Sequence, residues 1–190
     1  MLRFTIAPLA VMAAALGGCA GTTNGARGPG NTMPAYAGHA ADLFDDAIEP
    51  AAVGYELDQA PTAGTPMSSN RLRERAQVGD AVVRAHVTTV TSKDEDKGRT
   101  WQIGLRTVET IAGSSSFPND FTVEIEPSGP SAGIVRAFES RLIGKTFLAF
   151  VREFARPGAD GDAELHFHLA PDAKPDIGAV LAAVKMDQVR

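Results

Sequence analysis

The chain has 190 residues, with 18 Lys and Arg side chains against 23 Asp and Glu side chains and a formal net charge of −5. This mildly acidic balance argues against nucleic-acid binding and against electrostatic adhesion to an anionic membrane, because both need clustered Lys and Arg. The only cysteine is Cys19, which excludes an intrachain disulfide. The length suits one domain, which a hydrophobic core alone must stabilise.

The first 18 residues have the organisation of a secretory signal peptide. Arg3 supplies the basic start, residues 4–16 form an apolar run, and small residues precede Cys19. The run Leu16-Gly17-Gly18-Cys19 resembles the lipobox of bacterial lipoproteins. The resemblance implies cleavage before Cys19 and attachment of acyl chains such as palmitate to its sulfur and its amine. The alternative is an ordinary cleaved signal that leaves an unmodified cysteine.

A lipidated Cys19 predicts a location in the cell envelope, where acyl chains supply membrane contact at about 0.8 kcal/mol per buried CH₂ group. Ala20 follows the cysteine. In bacteria that retain lipoproteins in the inner membrane by an aspartate at this position, Ala20 implies the outer membrane, facing the periplasm or the cell surface. No apolar run after residue 19 is long enough to predict a spanning helix.

Residues 19–67 predict a flexible tether, because Gly, Ala, Thr and Pro dominate and bulky apolar residues are scarce. The run from Asp42 to Glu49 is an exception, since its apolar residues recur at helical spacing. It predicts a short helix over 42–49, which either docks on the domain or is offered to a partner. The folded domain is expected over residues 68–190.

Within residues 68–190, alternation and helical periodicity predict five strands and three helices. In chain order these are a helix from Ser68 or Ser69 to Gln77, strands at 80–91, 101–111 and 121–126, a helix from Ser131 to Leu142 followed by Gly144, strands at 146–154 and 164–169, and a helix starting at Pro175. The apolar positions of the second strand change phase, which predicts a bulge near Arg106 and Thr107. Residues 146–154 are apolar on both faces, which is typical of the most buried strand.

This order of elements is that of a small five-stranded OB-like Greek-key barrel, with a helix between strands three and four and further flanking helices. The fold class is therefore predicted to be mainly β. The runs at 79–83, 108–113 and 143–150 (GDAVV, VETIAG and IGKTFLAF) resemble OB-like domains related to netrin modules and metalloproteinase inhibitors. Another small antiparallel barrel or sandwich is the alternative. The inhibitors coordinate a protease metal through a free N-terminal cysteine amine, so an acylated Cys19 argues against that activity.

A possible metal site lies on the last predicted strand. His166 and His168 alternate with core residues, which places both imidazoles on one solvent-facing side about 7 Å apart. Glu164 shares that side, and Asp160 or Asp162 is near in sequence, so a third ligand is within reach. The alternative is that these side chains are simply the polar side of a half-exposed strand.

The function predicted from the sequence is a binding role rather than catalysis. The chain has no nucleophile elbow, no Gly-rich phosphate cradle and no EF-hand spacing. We therefore expect no enzymatic activity and no cofactor. The predicted function is a lipid-anchored, non-catalytic binding or structural module for another envelope protein. The alternative is metal binding, or a metal-dependent activity, through His166 and His168.

Overall fold

The computed structural model describes residues 33–55, 66–113, 117–156, 158 and 162–187 of the chain, all of which belong to the unit Asn31–Arg190. The predicted signal peptide and Cys19 lie outside the described residues. In chain order the elements are α1 (Gly38–Leu43), β1 (Ala47–Ile48), a 3₁₀ turn (Pro50–Val53), α2 (Pro66–Val78), β2 (Ala81–Glu95), β3 (Gly98–Gly113), β4 (Asp120–Ile125), α3 (Ala132–Leu142), β5 (Thr146–Ala155), β6 (Ala163–Pro171) and α4 (Lys174–Asp187).

The described strands form one sheet in the order β1-β6-β5-β2-β3-β4, which curls into a half-barrel. Neighbouring strands are antiparallel except for β1 and β6, which are parallel. The prediction of a mainly β fold is confirmed. The closed five-stranded barrel is not confirmed. In a closed barrel of these strands, β4 would pair with β6. In this structure β4 is an edge strand, and β6 pairs with β5 and β1.

The long β2–β3 hairpin contains three shifts of register, which allow it to curl. Two of them leave an extra residue in β3, at Val108 and at Ile111, and the third leaves Thr88 as the extra residue of β2. The bulge predicted near Arg106 and Thr107 is therefore found one residue further along. Bulges increase the local twist of a strand, so they help a long hairpin to bend around a core.

Both faces of the sheet carry a hydrophobic core. On the inner face, Trp101, Ile103 and Phe147 are fully buried and belong to a cluster that includes residues of α3. On the outer face, Leu148 and Phe150 belong to a second cluster with apolar residues of α1, α2 and α4. Six of the ten residues of β5 are buried, a larger share than in any other described strand, so the prediction that 146–154 is the most buried strand is confirmed.

Residues 33–55, which we expected to be tether, are part of the folded unit. Phe44 is fully buried, and Leu43, Ile48 and Val53 are nearly so. The helix predicted over 42–49 is wrong in its bounds, because α1 ends at Leu43 and β1 follows. The apolar residues that suggested a helix are divided between two cores instead. Leu43 and Phe44 pack in the outer core, whereas Ile48 and Val53 pack in the inner core.

Ser131 precedes α3, but its hydroxyl does not cap this helix. Ser131 Oγ donates to the Asp46 carbonyl at 2.7 Å and accepts from the Ile48 N–H at 2.7 Å. The start of α3 is therefore joined to β1. At the other end, Gly144 follows the helix with a φ of +85°, as the sequence predicts for a glycine that ends a helix. None of the described helices is long and apolar enough to cross a membrane.

Candidate functional site

The prediction that His166 and His168 face solvent is wrong. Both lie on the outer face of β6, but only 8 % and 5 % of their surfaces are exposed. Alternation places them correctly on the face opposite to Phe167, which is in the inner core. That outer face is covered by residues 36–49, which come from a distant part of the sequence.

Three carboxylates of the covering segment contact the two imidazoles. His166 Nδ1 lies 2.8 Å from Asp46 Oδ2. His168 Nδ1 lies 2.8 Å from Asp45 Oδ1, and His168 Nε2 lies 3.0 Å from Glu49 Oε1. An ionised carboxylate only accepts hydrogen bonds, so carboxylates at both nitrogens of His168 fit the imidazolium form, in which both nitrogens donate. We call these five residues the His–carboxylate cluster.

Asp46 also pairs with the backbone of β6. Its Oδ1 accepts from the Phe167 N–H at 3.1 Å, and its own N–H donates to the Phe167 carbonyl at 2.9 Å. Asp46 has a φ of +54°, in the left-handed region that Gly, Asn and Asp adopt more readily than other residues. The side chain and backbone of one residue thus extend the pairing of β6 beyond the two residues of β1.

An aromatic ring covers the cluster on the side of His166. The Tyr36 ring stacks on the His166 ring, with centroids 3.5 Å apart and planes 5° apart. The Tyr36 hydroxyl donates to the Phe44 carbonyl at 2.9 Å. Burial, followed by the negative charges of the neighbouring carboxylates, raises the pKa of Tyr36 to about 12. The phenol is therefore held in its neutral, donating form.

Arg75 of α2 places a buried positive charge beside the cluster. It is 3 % exposed, and its Nε donates to the Leu43 carbonyl at 2.6 Å. Desolvation lowers the pKa of Arg75 below its usual value. Burial acts to raise the pKa of Asp45, but the hydrogen bond with His168 and the charges of His168 and Arg75 outweigh it, so this pKa lies below its usual value. The cluster is a set of compensating charges that ties residues 36–49 to β6 and α2.

The geometry does not favour a metal centre on this strand. Glu164, the expected third ligand, lies 3.8 Å from Arg156 Nε through its Oε2 atom, while both histidines contact carboxylates. Among the described residues, no group of three or more His, Cys, Asp or Glu side chains is arranged to hold an ion. Asp160 lies outside the described residues. Metal binding through His166, His168 and Glu164 stays a prediction, which elemental analysis of the purified protein would decide.

A cleft of about 560 Å³ opens between β4 and β6, where no described strand joins them. This volume lies within the range of roughly 300–1,000 Å³ that is common for binding sites. One side is lined by residues of β4 and the turn after it, and Arg156 with residues 163–166 lines the other. The residues of the first side are Thr122, Glu124, Ile125, Glu126, Gly129 and Pro130. Tyr36, Asp45 and Asp46 also line the cleft, so the His–carboxylate cluster adjoins it.

The backbone of β4 has hydrogen-bonding groups directed into this cleft. The Thr107 N–H donates to the Asn119 carbonyl, so the backbone groups of Asn119 point toward β3. Every second residue after it, namely Phe121, Val123 and Ile125, has its backbone N–H and C=O groups directed the same way. Hydrogen-bonding direction alternates along an antiparallel strand, so the N–H and C=O groups of Thr122 and Glu124 point away from β3. No described strand pairs with that edge.

The opposite wall has a second unpaired edge. On β6, the carbonyls of Phe167 and Leu169 accept from Asp46 and Glu49, so the backbone groups of odd-numbered residues point away from β5. Leu165 has the same phase, but β1 pairs only with His168 and Leu169. The N-terminal half of β6 therefore presents an edge to the cleft, opposite that of β4.

The cleft is apolar toward the inner face and acidic toward the outer face. Ile125 is part of the inner core, and Leu165 packs against that core. Glu124 and Glu164 alternate with them and lie on the outer face. Among the described residues that line the cleft there are five Asp and Glu side chains, and Arg156 is the only Lys or Arg. Asp45 and Asp46 contact histidines and Glu164 lies beside Arg156, so Glu124 and Glu126 are the lining acids that favour a positively charged ligand.

A comparison with the models of known protein families finds no match, and a comparison with curated proteins finds no similar sequence. Function therefore has to be inferred from the sequence motifs and from the geometry of the described residues.

Sequence reasoning missed the partners of the two histidines. Asp45, Asp46 and Glu49 fall in the run predicted as a short helix, although they flank the short apolar pair 47–48 on both sides. One strand has histidines on one face, and a distant short apolar segment has acids on both sides. Together these two features are a signal that the strand and the segment pair. That signal is weak, because β1 has only two residues and no periodicity of its own.

Proposed function

We propose that the protein is a lipid-anchored lipoprotein of the bacterial cell envelope whose half-barrel is a non-catalytic binding module for another envelope protein. The observation that carries the binding role is the cleft between β4 and β6, where two sheet edges face each other and neither is paired with a described strand. Exposed strand edges are ready sites for association with another chain. The lipobox supports the anchor at Cys19, and Ala20 supports the outer membrane as its location.

The fold within this proposal is an OB-like half-barrel that lacks its closing pair of strands. The chain order β2-β3-β4-α3-β5-β6 supports it, as do the sequence runs that resemble OB-like domains. OB-like barrels bind ligands on a strand face and on its rim loops. The cleft lies between β4 and β6, the two strands that would pair with each other in a closed barrel. A partner bound there would occupy the seam of the barrel.

The charge of the cleft supports a protein partner rather than a nucleic acid. Glu124, Glu126 and Glu164 line it, and the whole chain has a net charge of −5. Phosphate backbones are repelled by such a surface, because their binding depends on Lys and Arg contacts. We therefore propose no nucleic-acid partner.

Photocrosslinking in the native envelope tests the binding role. A photoreactive amino acid replaces Thr122, which lines the cleft, and in a matched control it replaces Thr110, which is exposed on β3 outside the cleft. We expect one envelope protein to be crosslinked from Thr122 and not from Thr110. Equal crosslinking from both positions, or turnover of a substrate by the purified protein, contradicts the binding role.

Metabolic labelling with a fatty acid tests the anchor separately. We expect the full chain to incorporate labelled palmitate and to fractionate with the outer membrane, and the Cys19→Ser variant to do neither. An unlabelled wild-type protein contradicts the lipid anchor. The binding role has its own readout in the crosslinking experiment, so the two parts of the proposal can fail independently.

A further inference from the structure

The two walls of the cleft specify how a partner would bind. We propose that the cleft takes up an extended basic segment of the partner protein as an added β-strand, in which Lys or Arg residues alternate with apolar residues. This inference rests on the proposed binding function and adds the conformation and charge of the segment that is bound.

The backbone of the cleft supports strand addition. The N–H and C=O groups of Thr122 and Glu124 point into the cleft from one side, and those of Leu165 point in from the other. An extended peptide satisfies such groups with its own backbone, and it does so independently of its sequence. The Cα atoms of β4 and β6 approach within 8 Å in places, whereas a strand paired with both edges would hold them about 9.5 Å apart. Over that stretch the added strand therefore pairs with one edge, that of β4.

The side chains of the cleft set the alternating pattern. On the inner face the added strand would meet Ile125 and Leu165, which favour apolar residues. On the outer face it would meet Glu124 and Glu126, which favour Lys or Arg, while Glu164 already lies beside Arg156. Because successive side chains of a strand point to opposite faces, one extended segment meets both requirements only if the two residue types alternate.

The bound segment belongs to a partner rather than to this chain. Residues 20–32 contain one basic residue, Arg27, among Gly, Pro and small polar residues, and residues 56–65 contain no basic residue and two acids. Neither segment has the charge or the apolar alternation that the walls favour. Charge complementarity therefore selects a basic strand from another protein.

Peptide binding to the full chain in detergent tests this inference. The probe is a short fluorescent peptide of alternating Lys and Val, and the controls are the same peptide with Glu in place of Lys and a peptide of identical composition with all Lys residues in one block. We expect the alternating Lys peptide to bind and both controls to bind at least about tenfold more weakly. Equal affinity for the block peptide would show charge attraction without strand addition, which overturns the inference.

Two substitutions at one position isolate the backbone contact. Thr122→Pro removes an N–H that points into the cleft and is not part of the ladder with β3, whereas Thr122→Val keeps this N–H and changes only the side chain. The loss of one backbone hydrogen bond predicts about fivefold weaker binding for Thr122→Pro and little change for Thr122→Val. Unchanged binding by a folded Thr122→Pro variant contradicts strand addition on β4.

A charge variant provides an independent test if Thr122→Pro is unstable. Glu124→Gln combined with Glu126→Gln leaves the backbone edges intact, and we expect it to weaken binding of the Lys peptide and to reduce the dependence of binding on salt. If a partner is crosslinked from Thr122 but the alternating peptide does not bind, strand addition is rejected and the proposed function stands. Absence of both crosslink and peptide binding rejects both proposals.

Discussion

The two ends of β6 show how one strand edge is sealed while its continuation stays open. At Phe167 to Leu169 the edge is covered by β1 and by the carboxylates of the His–carboxylate cluster. At Ala163 to Leu165 the same edge faces the cleft, and the opposite edge of β4 is also unpaired among the described strands. We call these the sealed side and the open side.

The difference shows that acidic residues have two roles in this fold. On the sealed side, Asp45, Asp46 and Glu49 are paired with histidines and a backbone N–H. On the open side, Glu124 and Glu126 remain exposed beside unpaired backbone groups. Charged residues on a free edge discourage edge-to-edge aggregation. In our proposal they also select a basic strand. Substitutions should therefore affect stability on the sealed side and binding on the open side.

The largest effect is expected where the covering segment enters the core. Phe44→Ala removes a fully buried aromatic ring from the outer core, which predicts a loss of about 3–5 kcal/mol in the free energy of unfolding. Tyr55, at 48 % exposed, offers an aromatic control in the same segment. Denaturant unfolding, followed by the fluorescence of the single, buried Trp101, measures both. Equal, small losses for Phe44→Ala and Tyr55→Ala would mean that residues 33–55 do not contribute to the fold.

The next effect separates hydrogen bonding from backbone strain at Asp46. Asp46→Gly keeps the left-handed φ accessible but leaves the Phe167 N–H and His166 without their carboxylate, which predicts a loss of about 2 kcal/mol. Asp46→Ala adds the cost of a left-handed alanine, about 1 kcal/mol more. Unfolding in urea compares the two variants. If alanine were tolerated better than glycine, the strain at this position would be absent.

A matched substitution on both sides tests the comparison directly. Glu49→Gln weakens a charge-assisted contact with His168 and predicts a loss of about 1 kcal/mol in the free energy of unfolding. Glu124→Gln changes an exposed residue of the open side and should stay within about 0.5 kcal/mol of wild type. Thermal unfolding of both variants provides the measurement. A larger loss for Glu124→Gln than for Glu49→Gln would reverse the assignment of the two sides.

The last effect is confined to alkaline pH and concerns Tyr36. Its pKa of about 12 in the folded protein exceeds the ordinary tyrosine value, so the folded state holds the phenolic proton more tightly than the unfolded state. The stability that depends on this proton is complete below about pH 10 and is lost as the pH rises toward 12. Phenolate absorbance during an alkaline titration measures it, and Tyr36→Phe should remove this component. A Tyr36 that ionises near its ordinary value would contradict its coverage of the cluster.

Much of the fold is predictable from local pattern, because alternation and helix-ending glycines are local properties. The strands at 80–91, 121–126 and 146–154, the bulge in β3 and the glycine after α3 all follow from residues close in sequence. The burial of His166 and His168 does not follow, because alternation separates two faces of a strand but cannot show whether another segment covers one of them.

The site was less predictable than the fold for the same reason. β1 is two residues long, so it leaves no periodic signal, and its pairing with β6 joins residues about 120 positions apart. The cleft depends on which strands end the sheet, and an OB-like order of elements suggests closure there. Cys19 is different, because the lipobox that identifies it is contiguous in sequence. Its lipidation stays a prediction, since it lies outside the described residues.

Hydrogen–deuterium exchange of individual amides in the full chain tests the central contrast most directly. The Phe167 N–H, which donates to Asp46, should be strongly protected on the sealed side. The Thr122 and Glu124 amides on the open side should exchange rapidly in the free protein and become protected when the alternating Lys and Val peptide is added. If the Thr122 and Glu124 amides were as protected as the Phe167 amide before any peptide is added, the cleft would already be filled. That result would contradict the account.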